Sequence, residues 1–398
     1  MTQKHKLPTG WQEAELGRIA ECLDGDWILS NDMSEKGQIG LVQLKHVGEG
    51  NFLIKSFNFI TKEKAKELKC TILKSGDLLV SRMADPICRS CILPYFDFET
   101  ITVVDVTVIR PNEGKTSREY LNIVFNSLIV KNQVGNFVTG TTRARISRKN
   151  LEKIKIPLPP LSTQKSIVAI LEKAEALKRQ REEADTLTQE YLKSVFYEMF
   201  HNKGFEERKM DDLFEIVRGG SPRPIQEYIT EDKNGYNWIK IGDAKENSKY
   251  IERTEEKIKP EGLKKTRLVK RGDFILSNSM SFGRPYILKI DGCIHDGWLA
   301  IRNKKGLITN DYLYAILGSE YVYNQFLRSV SGSTVKNLKI EVVKKVSIPL
   351  PPLALQQRFA TIVEHVEKMK EVQAQSKRHI EELFNSLMQR AFNGELVK

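Results

Sequence analysis

A chain of 398 residues exceeds one ordinary domain and suggests two or three, each of about 100–200 residues. Its 63 lysines and arginines outnumber 51 aspartates and glutamates, giving a formal charge of +12, while a 40% hydrophobic content and only 14 prolines exclude a disordered or collagenous chain. No run of about 18 apolar residues occurs, and the opening MTQKHKLPTGW has no apolar stretch, so a soluble cytoplasmic protein without membrane span or secretory signal is expected.

The first 160 residues have the pattern of a globular domain. Turn signals such as Glu49-Gly50-Asn51 separate β-rich runs, with Ile101-Thr-Val-Val-Asp-Val-Thr-Val-Ile109 expected as one strand and Glu119 to Val130 as one helix. Four of the five scattered cysteines fall here (Cys22, Cys70, Cys88, Cys91), and Cys293 follows later. An odd, dispersed set is no disulfide framework. The single C-x-x-C at Cys88 and Cys91 lacks the second pair that a structural zinc site needs, so reduced, packed thiols and no metal are expected.

From 161 to 203 there is no glycine or proline until the very end, and apolar residues recur every three or four positions: Ile167, Leu171, Ala174, Leu177, Ala184, Leu187, Tyr191, Val195, Met199. That spacing predicts a helix of some forty residues, about 60 Å long, with a heptad-like seam. The double proline before it gives a stiff extended lead-in, and Asn202 with Gly204 supplies the stop.

Residues 204–352 repeat the globular pattern, with a strand expected at Trp238–Ile241 and a helix over Asp311 to Leu327. Residues 353–398 repeat the long helix, through Phe359, Ile362, Val366, Met369, Gln373, Ser376, Ile380, Leu383, Leu387 and Ala391, with Asn393-Gly394 as the stop.

The chain is therefore a duplication. IPLPPL begins at 156 and again at 348, and the same spacing of 192 aligns Gly140-Thr141-Thr142 with Gly332-Ser333-Thr334 and Gln164 with Gln356. Gly76-Asp77-Leu78-Leu79-Val80-Ser81 matches Gly272-Asp273-Phe274-Ile275-Leu276-Ser277 at a spacing of 196, as loops of unequal length would produce. Each long helix must bury its seam, and the other helix is the simplest partner, giving an antiparallel pair. Two separate helical hairpins, or a coiled coil between copies of the chain, are the alternatives.

No G-x-G-x-x-G, no G-x-x-x-x-G-K-[ST] and no [DN]-P-P-[YF] tetrapeptide occurs. Asp243 and Lys245 form a D-x-K without an upstream P-D, and the six histidines form no triad pattern. A non-catalytic chain is expected. The net positive charge suits phosphate, though by itself it does not separate DNA from RNA or from an acidic protein, and two glycine-hinged polar loops occupy matched places: Thr139–Arg145, with Thr141, Thr142, Arg143 and Arg145, and Ser331–Lys336, with Ser333, Thr334 and Lys336. The strand ends Arg82 and Asn278 are matched and differ, as two domains reading different bases would, arginine suiting guanine and asparagine adenine. Arg218-Gly-Gly-Ser-Pro-Arg-Pro224 offers Arg218, Ser221 and Arg223 for phosphate, although its counterpart Asp24-Gly25-Asp26-Trp27 is acidic. Lys240 and Arg284 complete the DNA-binding candidates.

The two openings Ile156-Pro-Leu-Pro-Pro-Leu-Ser-Thr-Gln164 and Ile348-Pro-Leu-Pro-Pro-Leu-Ala-Leu-Gln356 resemble the specificity (S) subunits of type I restriction–modification systems, the HsdS family. Ala391-Phe-Asn-Gly-Glu-Leu396, the Gly-Asp-(Leu/Phe)-(Leu/Ile)-x-Ser strands and the Leu-Pro-x-Gly-Trp opening at Leu7 to Trp11 extend the resemblance over the whole chain. It implies two α/β target recognition domains (1–160 and 204–352), each followed by a spacer helix (161–203 and 353–398), the helices pairing as an antiparallel coiled coil. It also implies a non-catalytic subunit that reads a bipartite double-stranded DNA site and docks two methyltransferase subunits and, through them, restriction/translocase subunits. Docking would involve the helix openings at Gln164 and Gln356 and the terminal Phe392, Asn393 and Gly394. No cofactor would bind this chain; S-adenosylmethionine, ATP and Mg²⁺ would sit on the partners. A coiled-coil scaffold binding proteins, or a self-contained DNA-modifying enzyme, are the competing expectations.

Overall fold

The computed structural model describes residues 7–83, 86–138, 144–245, 248–278, 283–329 and 338–397. The chain divides into two units, one of residues 1–181 and 376–398, the other of residues 182–375. Each unit joins a globule to the beginning of one long helix and the end of the other.

In the first unit, the central antiparallel sheet has the strand order Ala20–Asp24, Val106–Pro111, Leu78–Ser81, Ser90–Ile92. A second sheet sets Ile39–Val42 between Asn58–Ile60, antiparallel, and Glu99–Thr102, parallel. The run expected as one strand over 101–109 is thus two strands in two sheets. Val106 N donates back to Val103 O at 2.9 Å, closing a turn between them. The second unit repeats the frame: Phe214–Arg218, Trp298–Asn303, Phe274–Ser277, Pro285–Leu288 and then Tyr250–Ile251 in one sheet. Its other sheet runs Ile229–Thr230, Glu256–Ile258, Tyr236–Ile239, Gly292–Ile294, Arg267–Val269. The strand expected at 238–241 ends at Ile239 because Lys240 N bonds Asp243 Oδ2 at 2.7 Å and starts a short 3-10 turn.

The Gly-Asp pair ahead of each central strand is a turn device. Gly76 and Gly272 hold φ of +89° and +91°, the left-handed region that favours glycine. Asp77 Oδ2 then accepts from Lys74 N at 2.8 Å, and Asp273 Oδ2 from Lys270 N at 3.0 Å. Serine interrupts both short helical patterns. Ser127 Oγ donates to Val124 O and Ser319 Oγ to Ile316 O, both at 2.6 Å, so the expected 119–130 and 311–327 helices are each two, Arg118–Phe125 with Leu128–Val134, and Asn310–Leu317 with Glu320–Ser329.

The long helices span Leu161–Phe200 and Leu353–Phe392. In the first unit Lys178 Nζ lies 4.8 Å from the Phe384 ring centre, and Ile167, Leu171 and Ala391 join the core of the globule. In the second, Gln373 Nε2 donates to Thr188 Oγ1 at 2.9 Å, and Phe196 and Phe200 meet Phe359 at 5.6 and 5.4 Å. One index rises as the other falls, so both pairings are antiparallel. The seam departs from strict heptads: Val363 and Thr188 are buried, while the adjacent Leu187 and also Leu177, Met369 and Leu383 are exposed.

All five cysteines are free thiols. Cys88 packs in the core shared with the helices and Cys91 in the core beneath the other face of the sheet, so the C-x-x-C pair does not converge. Burial pushes each of these two thiols up to about 12. Among the described residues no helix is long and apolar enough to cross a membrane.

Candidate nucleic-acid interface

The strand-end candidates turn inward. Arg82 is buried; its Nη1 donates to Asp24 Oδ1 at 2.8 Å and its Nη2 to Val104 O. Asn278, matched to it, is buried too, and its Nδ2 donates to Asp296 O at 2.9 Å. Val104 and Asp296 hold equivalent places beyond the matched strands Glu99–Thr102 and Gly292–Ile294. Arg145 pairs with Asp105 at 3.3 Å and reaches the same Val104 carbonyl at 3.3 Å. These side chains serve the frame, a place for Arg82 and Asn278 that corrects the expectation of base contact from inside the fold.

In the second unit the remaining candidates converge. Arg218 Nε donates to Asp296 O at 2.8 Å, Ser221 Oγ to Asp296 Oδ1 at 2.8 Å, and Arg223 stands 3.9 Å from Asp296 Oδ2 with its side chain 83% exposed. His295 Nε2 lies 2.9 Å from Asp296 Oδ1. Burial alone would raise the Asp296 carboxyl, but the Ser221 bond and the charges of His295, Arg218 and Arg223 outweigh it and hold it below its ordinary value. Ser221, Arg223, His295 and Asp296 border a cleft of about 880 Å³ that is also lined by buried Trp238 and by Lys240 paired with Glu256 at 2.8 Å, with Arg218 reaching it only through Asp296. That bond to Glu256 raises the Lys240 ammonium above its ordinary value. Arg284 lies outside this cleft, its backbone N bonded to Ser277 Oγ at 2.9 Å.

The matched place in the first unit is built differently. Strand register equates Gln43 with Lys240, and Asn58 with Glu256. Asn58 Nδ2 donates to Gln43 Oε1 at 3.4 Å, an amide pair where the second unit has an ion pair. Both amides also touch Met33 Sδ, at 4.0 and 3.8 Å. Trp27 and Leu29, at the rim matching Ser221 and Arg223, are 68% and 57% exposed. A polar, charged cleft can bind phosphate and read base edges; an amide pair can read an edge, and an exposed indole can stack.

Gln43, Asn58, Glu256, His295 and Asp296 escaped the sequence reading. The spacing between matched residues drifts from 197 at Gln43/Lys240 to 192 at the strands ending in Thr102 and Ile294, so the offset of 192 does not place Gln43 opposite Lys240 or Asn58 opposite Glu256.

Gln164 and Gln356, expected to meet partners, are fully buried. Gln164 Nε2 donates to Lys115 O and Pro159 O, both at 2.9 Å, while its Oε1 accepts from Thr116 Oγ1 at 3.0 Å and Ser117 N at 3.3 Å. Gln356 repeats this with Leu307 O, Pro351 O and Thr309 N. Each glutamine clamps a long helix to the start of a short one and offers a partner no atom. Phe392 packs on the first core, 6.4 Å from the Tyr120 ring, and Gly394 sits so close to Pro8 that a Cβ would lie 2.2 Å from its Cγ. Asn393 is exposed and bonds Glu395 at 3.3 Å. Thr141, Thr142, Arg143, Ser333, Thr334 and Lys336 fall outside the described residues.

Two tandem units with one frame and divergent side-chain pairs accord with comparison to known proteins. The profile of the family described as type I restriction modification DNA specificity domain matches residues 8–186 and again 202–382. The chain belongs to that family. A protein named as the specificity subunit of the type I restriction enzyme MjaX, from Methanocaldococcus jannaschii, is 22% identical over 99% of this chain and 96% of its own length. The specificity subunit S.HindORF215P of Haemophilus influenzae is 29% identical over 58% of this chain and 61% of its own. A solved chain from a study of complex assembly and conformational transition in a type I R-M system matches with a TM-score of 0.67 at 20% identity, covering 98% of this chain and all of that one. That likeness shows the fold, and the mixed α/β class with two tandem recognition domains and long helices stands as expected. Specificity subunits of type I systems bind DNA and assemble with other subunits.

Proposed function

We propose that this chain reads a split, asymmetric site in double-stranded DNA, one half-site per unit, and presents it to two methyltransferase subunits that modify adenine at N6. The observation that carries the reading is the matched position: one frame twice, with an ion pair and an exposed arginine in one copy and an amide pair with exposed tryptophan in the other. Identical halves would read a palindrome; different ones read unlike half-sites. The formal charge of +12 supplies phosphate neutralisation, so binding weakens steeply as salt rises.

The duplication supports one methyltransferase per half, with restriction/translocase subunits joined through them. S-adenosylmethionine, ATP and Mg²⁺ belong to those partners, and the chain itself is non-catalytic. Direct sequencing of N6-methyladenine in the producing organism, with and without this gene, tests the reading. Loss of methylation at one split motif is expected. Unchanged methylation beside an active co-purifying methyltransferase would overturn it.

A further inference from the structure

We propose that the pairs Gln43–Asn58 and Lys240–Glu256 are the base-reading groups at one matched position of the two half-sites. The first faces an A·T pair and the second a G·C pair. The inference rests on the split-site reading above and names the residues that set its specificity.

The two pairs occupy one place in the frame. Leu41 pairs with Asn58, and Trp238 with Glu256, in the same antiparallel register. Gln43 and Lys240 each follow that strand by the same step and open the same 3-10 turn, their backbone N–H bonding His46 Nδ1 at 2.9 Å and Asp243 Oδ2 at 2.7 Å. The backbone is therefore set alike, and only the side-chain chemistry changes. In both units the pair is half-buried rather than sealed in the core, and in the second it borders the cleft.

The change is concerted. Where one member is cationic its partner is anionic, and where one is an amide so is the other. A frame needing only a cross-strand contact would accept either pair, and the chain carries one of each. An amide offers a donor and an acceptor side by side, which matches adenine N6 and N7. A lysine ammonium suits guanine O6 and N7, and a carboxylate accepts from cytosine N4, so Lys240 and Glu256 together complement both members of a G·C pair. The bonds within the amide pair are long, 3.4 Å between them and 3.8–4.0 Å to a thioether, and easily exchanged for a base edge. Beside Lys240–Glu256, the exposed Arg223 supplies the phosphate contact that would hold the duplex in register.

The test exchanges the pairs. The complex is purified from producing cells through a tag on this chain and selects duplexes from a randomised pool, and the bound fraction is sequenced. Wild type should enrich one split motif. Q43K/N58E should change base preference only in the half-site read by the first unit, and K240Q/E256N only in the other. Preference at one base pair should shift by between about fivefold and a hundredfold. Both swaps copy a pair that the frame already holds, and melting temperatures check folding. If a double swap unfolds, Asn58→Gln and Glu256→Gln replace it under the same criteria. Swaps that leave both half-sites unchanged, or weaken both equally with wild-type melting, overturn this assignment while the split-site reading stands. A wild-type complex that enriches no split motif overturns both.

Discussion

In both units the residue that ends the central strand donates to the same backbone carbonyl, yet it is Arg82 in one and Asn278 in the other. The difference is explained across the sheet. Asp24 answers the Arg82 guanidinium, and the place of Asp24 is held in the second unit by Arg218. An arginine at 278 would stand near another arginine, so the neutral amide goes with the reversed charge. At this contact both members change together, while the bond to the backbone carbonyl is kept in each unit. The tyrosine bonds to backbone are kept likewise, Tyr120 Oη to Pro157 O and Tyr312 Oη to Pro349 O, both at 2.7 Å.

The shared part of the frame can be broken most severely at Gly25 and Gly219. A Cβ there would lie 2.1 Å from Val103 O and 2.2 Å from His295 O, against backbone that cannot rotate away. Gly25→Ala and Gly219→Ala should each cost about 3 kcal/mol, read by urea unfolding. A cost below about 1 kcal/mol at either would show that the two frames are not equivalent.

Next come Gln164→Ala and Gln356→Ala. Each strips partners from several buried groups at once, at roughly 1–3 kcal/mol for each group left unsatisfied. A loss of about 2–3 kcal/mol is expected for both, slightly more for Gln164 because its amide also holds Thr116 Oγ1. Exchange protection of the Arg118–Phe125 and Asn310–Leu317 amides should fall only in the unit that is changed.

The sequence made the duplication, the long helices and the Gly-Asp turns legible because each rests on local chemistry: proline stiffness, apolar period, a left-handed glycine. It misassigned the buried glutamines, whose repetition reflects a helix clamp as easily as a docking point. The two serines that break the short helices were equally ambiguous, since serine sits on exposed helix faces as often as at caps. The cleft stayed hidden for another reason. Gln43, Asn58 and Asp296 lie on or just beyond strands brought together by pairing across 15 to more than 50 residues, and loop insertions shift the repeat between them. Only strand register shows which residue stands opposite which.

Where the units diverge, substitution should act unequally. Arg82→Ala removes a charged bond to Asp24, itself half exposed, and should cost about 2 kcal/mol, against about 1 kcal/mol for Asn278→Ala with its neutral bond. A double-mutant cycle of Arg82→Ala with Asp24→Ala should return a coupling of about 1 kcal/mol. Equal losses at 82 and 278, with no coupling, would remove the charge-exchange explanation.

The smallest effect separates the units by acid. Asp296 is ionisable where the first unit has Val104, and its carboxyl is held below the ordinary value of 3.8, burial being outweighed by Ser221, His295, Arg218 and Arg223. A depressed carboxyl contributes stability that is complete above its unfolded value and is lost as pH falls through its folded one. The advantage of wild type over Asp296→Asn should therefore be complete at about pH 5, shrink below pH 4, and vanish at lower pH. Solvent screens this group, so the advantage should stay under about 1 kcal/mol and fall further with added salt. Unfolding followed at several pH values would check it. An advantage that grew as pH fell below about 4 would mean that the ring of donors around Asp296 does not favour its charge, and that the cleft is less positive than its arginines imply.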